Sequence, residues 1–275
     1  TKFWLVMIYI ACFAIALIAL YPVFWLACSS LKNLTEYLST TQILPKNADW
    51  AGWVKTWNDF GFTKYYINSG IAVAGGVLCA IFFNGLMAYV LAVLKPKGHK
   101  IVLALVMWCL LIPPTTSFVA LFVNIKKIGL TGSFVPLWLT MGANAYWVIL
   151  FKNYFESLPR DYIDAARIDG CGTFGVFTRI VLPLSKTILA VLSINTFLSS
   201  WNNFFWPLIV TFTNKSMTLP VGLATIMNSV SENSAARQYG LLMAISVLVS
   251  IPVLVLFISL QKQFVESVAS SGIKG

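Results

Sequence analysis

Six stretches of this chain are each long enough to cross a lipid bilayer and contain no Asp, Glu, Lys, Arg or His. They cover residues 3–30, 70–94, 101–124, 132–151, 187–214 and 238–261. A helix needs about 20 predominantly apolar residues to span the hydrocarbon core. Because backbone polar groups inside hydrocarbon must bond to one another, each stretch is predicted to be a transmembrane helix. The expected fold class is an all-α integral membrane protein, with residues 1–275 forming a single transmembrane domain.

The composition excludes other classes of protein. Hydrophobic residues make up 59% of the chain and charged residues 10%, whereas a soluble domain has about 25% charged residues. The net charge of +10 does not indicate nucleic-acid binding, because the 19 Lys and Arg are scattered among short connections. The five cysteines show no C-x-x-C spacing, and His99 is the single histidine of the sequence. We therefore expect neither a disulfide framework nor a metal site.

The distribution of positive charge predicts the orientation in the membrane. Six spans place both termini on one side, and that side carries eleven of the nineteen Lys and Arg. The positive-inside rule then favours cytoplasmic termini. We expect the first stretch to be a retained span, because its apolar core is too long for a signal peptide. Since residue 1 is not Met, we expect the numbering to start inside a longer reading frame.

Two local patterns within this frame are informative. Pro113 and Pro114 lie near the middle of the third stretch and should kink or unwind it. In the connection after the first stretch, Trp50, Trp53 and Trp57 fall on one face of a predicted amphipathic helix. This aromatic face could lie in the headgroup layer of the bilayer or stack against sugar rings.

The connection after the fourth stretch, residues 152–186, predicts a second short helix outside the membrane. Pro159 suits the first helical position, and the charge of Asp161 complements the positive end of the helix dipole. Arg160 and Asp164 are spaced i, i+4 and are expected to pair. Gly170 stands where a helix would end in a left-handed residue. Such a helix, followed by a further amphipathic segment, is typical of a surface that docks another protein.

These residues also carry a resemblance to a known family. The string 164–170, Asp-Ala-Ala-x-x-x-Gly, followed by Ile-Val-Leu-Pro at 180–183, resembles the E-A-A-x-x-x-G … I-x-L-P signature of permease subunits of bacterial ABC importers. The strings 112–114, 165–170, 200–208, 218–222 and 271–275 are similar to those of maltose-type carbohydrate importers, in particular of the smaller, G-type permease. The chain departs from the family pattern at Asp164, Cys171 and Asn203, where Glu, Ala and Asp are usual.

The resemblance implies a fold and a function. The fold would be the ABC importer type I permease fold, with residues 152–186 as its cytoplasmic coupling loop. The chain would form half of the translocation pathway of an ATP-driven importer of di- or oligosaccharides, in a bacterial cell (inner or plasma) membrane. Its partners would be a second, homologous permease subunit in a heterodimer, two ATP-binding subunits, an extracellular or periplasmic sugar-binding protein and the lipid bilayer. ATP and Mg would be bound by the partner ATPase subunits, so this chain would hold no cofactor and have no catalytic residue.

The resemblance also implies site residues. Coupling to the ATPase is expected at Arg160, Asp161, Asp164, Ala165, Ala166, Arg167, Asp169 and Gly170. Gly272 and Lys274 belong to a C-terminal tail expected at the ATPase. The candidates for the translocation pathway are Pro113, Asn144, Trp201, Asn202 and Asn203. The loop expected to face the binding protein contains Asn228, Ser229, Ser231 and Asn233.

The sequence argues against two other functions. An ion-coupled secondary transporter usually places ionisable residues within its membrane helices, and the six stretches contain none. A membrane-embedded enzyme would need a catalytic constellation within the spans, and the sequence has neither an HExxH motif nor paired carboxylates there. The sequence also contains no G-x-x-x-x-G-K-[ST] phosphate loop.

Overall fold

The structure is a computed structural model that describes residues 2–32, 34–39, 42–211, 215–230 and 242–259. No β-strand occurs in these ranges, so the all-α class is confirmed. In chain order the helices are α1 (Lys2–Ser30), α2 (Leu34–Ser39), α3 (Trp50–Asp59), α4 (Phe62–Leu94), α5 (His99–Cys109), α6 (Pro114–Lys127), α7 (Val135–Gly142), α8 (Ala145–Glu156), α9 (Arg160–Ile168), α10 (Thr173–Leu184), α11 (Lys186–Trp201), α12 (Phe205–Val210), α13 (Leu219–Val230) and α14 (Leu242–Ser259).

Three of these helices, α1, α4 and α14, are long and apolar enough to cross a membrane. Two bent pairs pass the same test, so the part of the chain that the structure describes holds up to five such elements. Helix α4 begins at Phe62, before the expected residue 70, and ends at Leu94 as predicted. Helix α14 lies inside the stretch 238–261, whose ends fall outside the described residues.

The predicted kink at the two prolines is present. Helix α5 ends at Cys109 and α6 begins at Pro114, with a bend of 99° between them. Proline lacks a backbone N–H and its ring clashes with the carbonyl four residues earlier, so two consecutive prolines favour a break at this point.

The expected fourth span is corrected by the structure. Residues 132–151 do not form one helix, because α7 ends at Gly142 and α8 begins at Ala145. Asn144 between them has extended backbone, and its side-chain oxygen accepts hydrogen bonds from the amides of Tyr146 and Trp147. An asparagine that caps a helix in this way favours a new helix start over continuation of the preceding one.

The expected fifth span, 187–214, is also interrupted. Helix α11 ends at Trp201, and α12 starts only at Phe205. The ring of Pro207 would clash with the carbonyl of Asn203 in a continuous helix, which explains the break. The residues Trp201, Asn202 and Asn203 therefore lie at a helix end rather than at the centre of a span. Residues 212–214 fall outside the described part of the chain.

Residues 1–64 and 222–258 form one compact unit. In this unit α3 is the predicted aromatic helix. The indole Nε1 of Trp53 donates to the carbonyl of Ser30 at 3.0 Å, and the ring of Trp57 stacks on Phe62 with centroids 6.0 Å apart. Trp50 remains exposed. Two of the three tryptophans thus pack within the chain.

Residues 65–221 belong to the other compact unit. Its main core is rich in aromatic and small side chains from α4, α8, α9, α10 and α11. The buried members are Ala80, Ala88, Tyr89, Ala92, Trp147, Phe151, Phe155, Ile163, Ala166, Val176, Phe177, Val181, Ile188 and Leu192. This core joins the short helix α9 to the long apolar helix α4.

Helices α4 and α7 approach each other closely at a glycine. The indole Nε1 of Trp138 donates to the carbonyl of Ile71 at 3.1 Å. A Cβ atom on Gly75 would overlap the indole ring of Trp138. By contrast, a Cβ atom on Gly70, in the same helix, would meet no atom within 4 Å.

We expect Gly75→Ala to lower the free energy of unfolding by about 1–3 kcal/mol, because the added methyl must displace a packed indole ring. Gly70→Ala is the matched control and should be neutral or stabilise the helix by up to about 1 kcal/mol. Thermal unfolding of the two variants in the same detergent measures the difference. Equal melting temperatures would show that the close approach at Gly75 does not matter for stability.

Candidate functional site: a docking helix and two capped helix breaks

The predicted docking helix is present as α9, Arg160–Ile168. Pro159 precedes the helix with φ −59° and ψ 124°, so it stands just outside the first turn rather than in it. The helix ends as expected, with Gly170 in the left-handed region at φ 79°. Glycine reaches this conformation without the steric cost that a Cβ atom adds.

The expected ion pair within α9 is corrected. Asp164 pairs with Arg167 at 3.7 Å, at spacing i, i+3, rather than with Arg160. An acidic residue that precedes its basic partner along a helix is the more favourable order. Both side chains are largely exposed, so this pair contributes little to stability.

Helix α9 has a buried and an exposed face. Ile163 and Ala166 are 5% and 8% exposed and pack on the main core. Ala166, expected to contact a partner, is therefore a packing residue. The other predicted coupling residues are exposed, namely Arg160, Asp161, Asp164, Ala165, Arg167, Asp169 and Gly170.

Two exposed residues of this face were missed by the sequence interpretation. Tyr162 and Ile168 are 57% and 87% exposed. With Ala165 they are spaced i, i+3, i+6, which places all three on one side of the helix. We call Tyr162, Ala165 and Ile168 the docking stripe. The same spacing was visible in the sequence and could have identified it.

The segment after α9 is tied to the long apolar helix α4 by Tyr89. Its hydroxyl donates to the carbonyl of Thr173, the first residue of α10, at 3.2 Å. Its ring lies 5.4 Å from that of Phe177, and Arg167 of α9 interacts with the hydroxyl. Tyr89 is fully buried, so it joins α4 to α10 beside the end of α9.

An ion-pair triad lies at the same end of the core. Glu156 at the end of α8 contacts Lys152 at 2.7 Å and Lys95 at 3.1 Å. The hydrogen bond from Lys152, together with that from Lys95, lowers the pKa of the Glu156 carboxyl. The triad fixes the last residue of α8 beside the end of α4, four residues before α9 starts.

The break between α7 and α8 is held by a buried asparagine of α4. The Asn84 side chain donates to the carbonyl of Met141 at 3.0 Å and accepts from the amide of Asn144 at 2.9 Å. Asn84 is 1% exposed. A cavity of about 220 Å³ lies beside this contact and is lined mainly by apolar side chains. The pathway candidate Asn144 is thus used to cap α8 and to bond Asn84.

The break between α11 and α12 contains three more pathway candidates. Asn203 accepts a long hydrogen bond of 3.4 Å from the amide of Trp206. Trp201 is buried, with its ring stacked on Phe197 at 5.7 Å. Asn202 is exposed.

The remaining predicted residues lie apart from these. Pro113 is exposed in the bend between α5 and α6, and no hydrogen bond between described residues joins it to Asn144 or Asn203. Asn228 and Ser229 lie in the last turn and a half of α13 rather than in an open loop, and Asn228 is exposed. Ser231, Asn233, Gly272 and Lys274 lie outside the described residues.

A helical protein with several apolar helices and a short polar docking helix is typical of a membrane transport subunit. The family described as "Binding-protein-dependent transport system inner membrane component" matches residues 76–270. The arabinooligosaccharides transport system permease protein AraQ of Bacillus subtilis is 32% identical over 265 residues, which is 95% of this chain and 92% of that protein. The melibiose/raffinose/stachyose import permease protein MelC of Bacillus subtilis is 31% identical, with 92% and 91% covered.

A solved structure has the same fold. It is a bacterial ABC transporter involved in the import of the acidic polysaccharide alginate, and one of its chains matches with a TM-score of 0.83 at 23% identity. The match covers 95% of this chain and 96% of that chain, so the fold is the type I permease fold of ABC importers.

The chain belongs to the family of inner membrane components of binding-protein-dependent transport systems. It is a multi-pass membrane protein, and its identification as an ABC importer permease is confirmed. The alternative of an ion-coupled secondary transporter does not hold.

We expect Tyr89→Phe to lower the free energy of unfolding by about 1 kcal/mol, because it removes the hydroxyl that bonds Thr173 and keeps the ring. The control is Tyr154→Phe, whose hydroxyl makes a long 3.5 Å bond to Leu184 and should matter less. Thermal unfolding of both variants checks this. An unchanged melting temperature for Tyr89→Phe would contradict the link between α4 and α10.

Proposed function

We propose that the chain is the permease subunit of an ATP-driven importer of di- or oligosaccharides and forms half of the translocation pathway. The observation that carries the proposal is the docking stripe, an apolar exposed surface on a polar helix anchored in the core of a family member. The two curated relatives described above are permeases for oligosaccharides, which supports the substrate class.

The chain would act together with other subunits of the importer. They are a second, homologous permease in a heterodimer, two ATP-binding subunits and an external sugar-binding protein. ATP and Mg belong to the ATP-binding subunits, because the sequence has no phosphate loop to hold a nucleotide. Both termini and α9 would face the cytoplasm, in agreement with the excess of Lys and Arg on that side.

The structure suggests how force would pass from the ATPase to the membrane helices. The docking stripe would sit in a groove of the ATPase, with Asp161, Asp164 and Arg167 around it. Movement of α9 would pass through Ile163 and Ala166 to the core and through Tyr89 to α4. The two permease subunits would then rock between outward-open and inward-open states, which is alternating access. A rigid contact suits this role, because packed cores change between discrete arrangements rather than deform continuously.

The translocation pathway is proposed at the breaks between α7 and α8 and between α11 and α12, with Asn144, Trp201, Asn202 and Asn203 as candidates. Pro113, in the bend between α5 and α6, is a further candidate. Breaks in membrane helices are tolerated where they face protein or a water-filled cavity, and such breaks form substrate sites in other transporters. The tail with Gly272 and Lys274 is proposed to reach the ATPase. The segment with Asn228, Ser229, Ser231 and Asn233 is proposed to face the binding protein.

The function is tested by reconstituting the purified subunits into liposomes. We expect oligosaccharide uptake to require ATP inside the vesicle, where the ATPase subunits face, and the sugar-loaded binding protein outside it. The chain alone should hydrolyse no ATP. Uptake driven by an ion gradient without ATP, or ATPase activity free of any ATP-binding subunit, would contradict the proposal.

The docking stripe can be tested by introducing a charged side chain into it. We expect Ile168→Asp to weaken association with the ATPase by about tenfold or more, because it places a charge where an apolar side chain would be buried. Ile128→Asp is the control, since Ile128 is also exposed but follows α6. Co-purification of the ATPase measures the effect, and equal recovery with both variants would exclude Ile168 from the interface.

The end of α9 offers a second matched pair. A Cβ atom at either Gly170 or Gly172 would meet no atom within 4 Å, but only Gly170 of the two has a positive φ. We expect Gly170→Val to cost about 1 kcal/mol or more locally and to reduce sugar-stimulated ATP hydrolysis. Gly172→Val should behave like the wild type. Equal stimulation in both variants would show that the left-handed turn is not needed for coupling.

Asn203 separates a pathway role from a capping role. We expect Asn203→Leu to reduce uptake while ATP hydrolysis continues, with little loss of stability, since its bond to Trp206 is long. Asn195→Leu is the control, because Asn195 is exposed in α11 and bonds its own helix at Val191. If uptake is normal and the melting temperature falls, as expected for a loss of about 1 kcal/mol of stability, Asn203 serves only to cap α12.

A further inference from the structure

The turn between α4 and α5 lies at a membrane surface whichever way the chain is oriented. Helix α4 is apolar enough to cross a bilayer, and α5 is the first half of a bent pair that passes the same test. The connection between them is short and contains Lys95 and Lys97, and Lys100 follows in the first turn of α5. Lysines at the ends of apolar helices lie at the level of the lipid headgroups.

A groove of about 310 Å³ runs between the two helices directly below this turn. Met87, Val90 and Leu91 form its wall on α4, and Ile101 and Val102 form its wall on α5. Both walls are apolar, whereas Lys97 and His99 line the end of the groove at the turn. Between the walls, ordered water would find few hydrogen-bond partners. An apolar chain fits it better.

The rim of the groove carries uncompensated positive charge. The segment 95–100 contains three lysines and no acidic residue. Lys95 pairs with Glu156 at 3.1 Å. Lys97, which lines the groove, and Lys100, in the first turn of α5, are both exposed, and neither forms an ion pair with a residue in the described ranges. The rim therefore complements an anion, while the groove below complements hydrocarbon.

We propose that this groove binds one anionic phospholipid, with an acyl chain between the walls of α4 and α5 and the phosphate at Lys97 and Lys100. A free phosphate would leave the aliphatic walls in contact with water. A zwitterionic lipid would bring its own positive charge to a positive rim. A lipid with a net negative headgroup satisfies both features, and a basic pocket between membrane helices is a known way of holding one.

The test uses native mass spectrometry of the intact transporter containing this chain, purified in mild detergent and incubated with equal amounts of phosphatidylglycerol and phosphatidylethanolamine. The wild type is expected to retain phosphatidylglycerol in preference. The variant Lys97→Gln/Lys100→Gln should lose that preference by about tenfold or more, because each lysine near the surface contributes about fivefold to the binding of an anionic lipid. The matched control is Lys126→Gln/Lys127→Gln, a lysine pair in the last turn of α6, which should change nothing.

A second variant tests the groove separately from the charge. Val102→Trp fills the space between the walls and keeps both lysines. It should therefore lower retention of phosphatidylglycerol, whereas the control Lys126→Gln/Lys127→Gln should retain this lipid.

Equal retention of the two lipids by the wild type would overturn the proposal. So would an equal loss with both lysine pairs, which would indicate general surface charge. Displacement of the lipid by glycerol phosphate, or unchanged retention in Val102→Trp, would indicate an anion site without a chain and would also overturn it. None of these readouts requires transport, so their failure is distinct from failure of the proposed function.

Discussion

The need to bond every backbone polar group inside an apolar environment is the constraint on which the rest of this structure depends. The chain interrupts its apolar stretches repeatedly, and each interruption frees carbonyl and amide groups that no water can satisfy in hydrocarbon. Asn84 meets this need at the break between α7 and α8, where one buried side chain bonds a carbonyl at the end of one helix and an amide at the start of the next. Side chains act similarly at the other two breaks. The hydroxyl of Thr116 donates to the carbonyl of Pro113, and the side-chain oxygen of Asn203 accepts from the amide of Trp206.

The same core that tolerates these breaks holds the docking helix. Only Ile163 and Ala166 of α9 are buried, yet neighbouring contacts restrain both of its ends. The Glu156 triad fixes the chain before α9, and the hydroxyl of Tyr89 fixes the chain after it. Lys95 of the triad directly follows α4, and Tyr89 lies within α4. Both restraints therefore connect the docking helix to α4.

The sequence predicts the parts of this structure that depend on local chemistry. Charge-free stretches identify α1, α4 and α14, and the two prolines identify the bend between α5 and α6. Gly170 marks the end of α9 because its left-handed turn is a local requirement. The break at Asn144 was not predicted, because its partner Asn84 lies 60 residues away in sequence and only the fold brings them together. The burial of Ala166 was missed for the same reason, whereas Tyr162 and Ile168 could have been found from their spacing.

The two faces of α9 have separate requirements, and this has a consequence for how partners are chosen. Ile163 and Ala166 must fit the interior of their own subunit, whereas Tyr162, Ala165 and Ile168 are exposed. The outward positions are therefore free to change during evolution without endangering the folded state. Under the proposed contact with the ATPase, exchanging a few of them would redirect the subunit to a different motor, so one motor would serve several importers whose interiors have little in common.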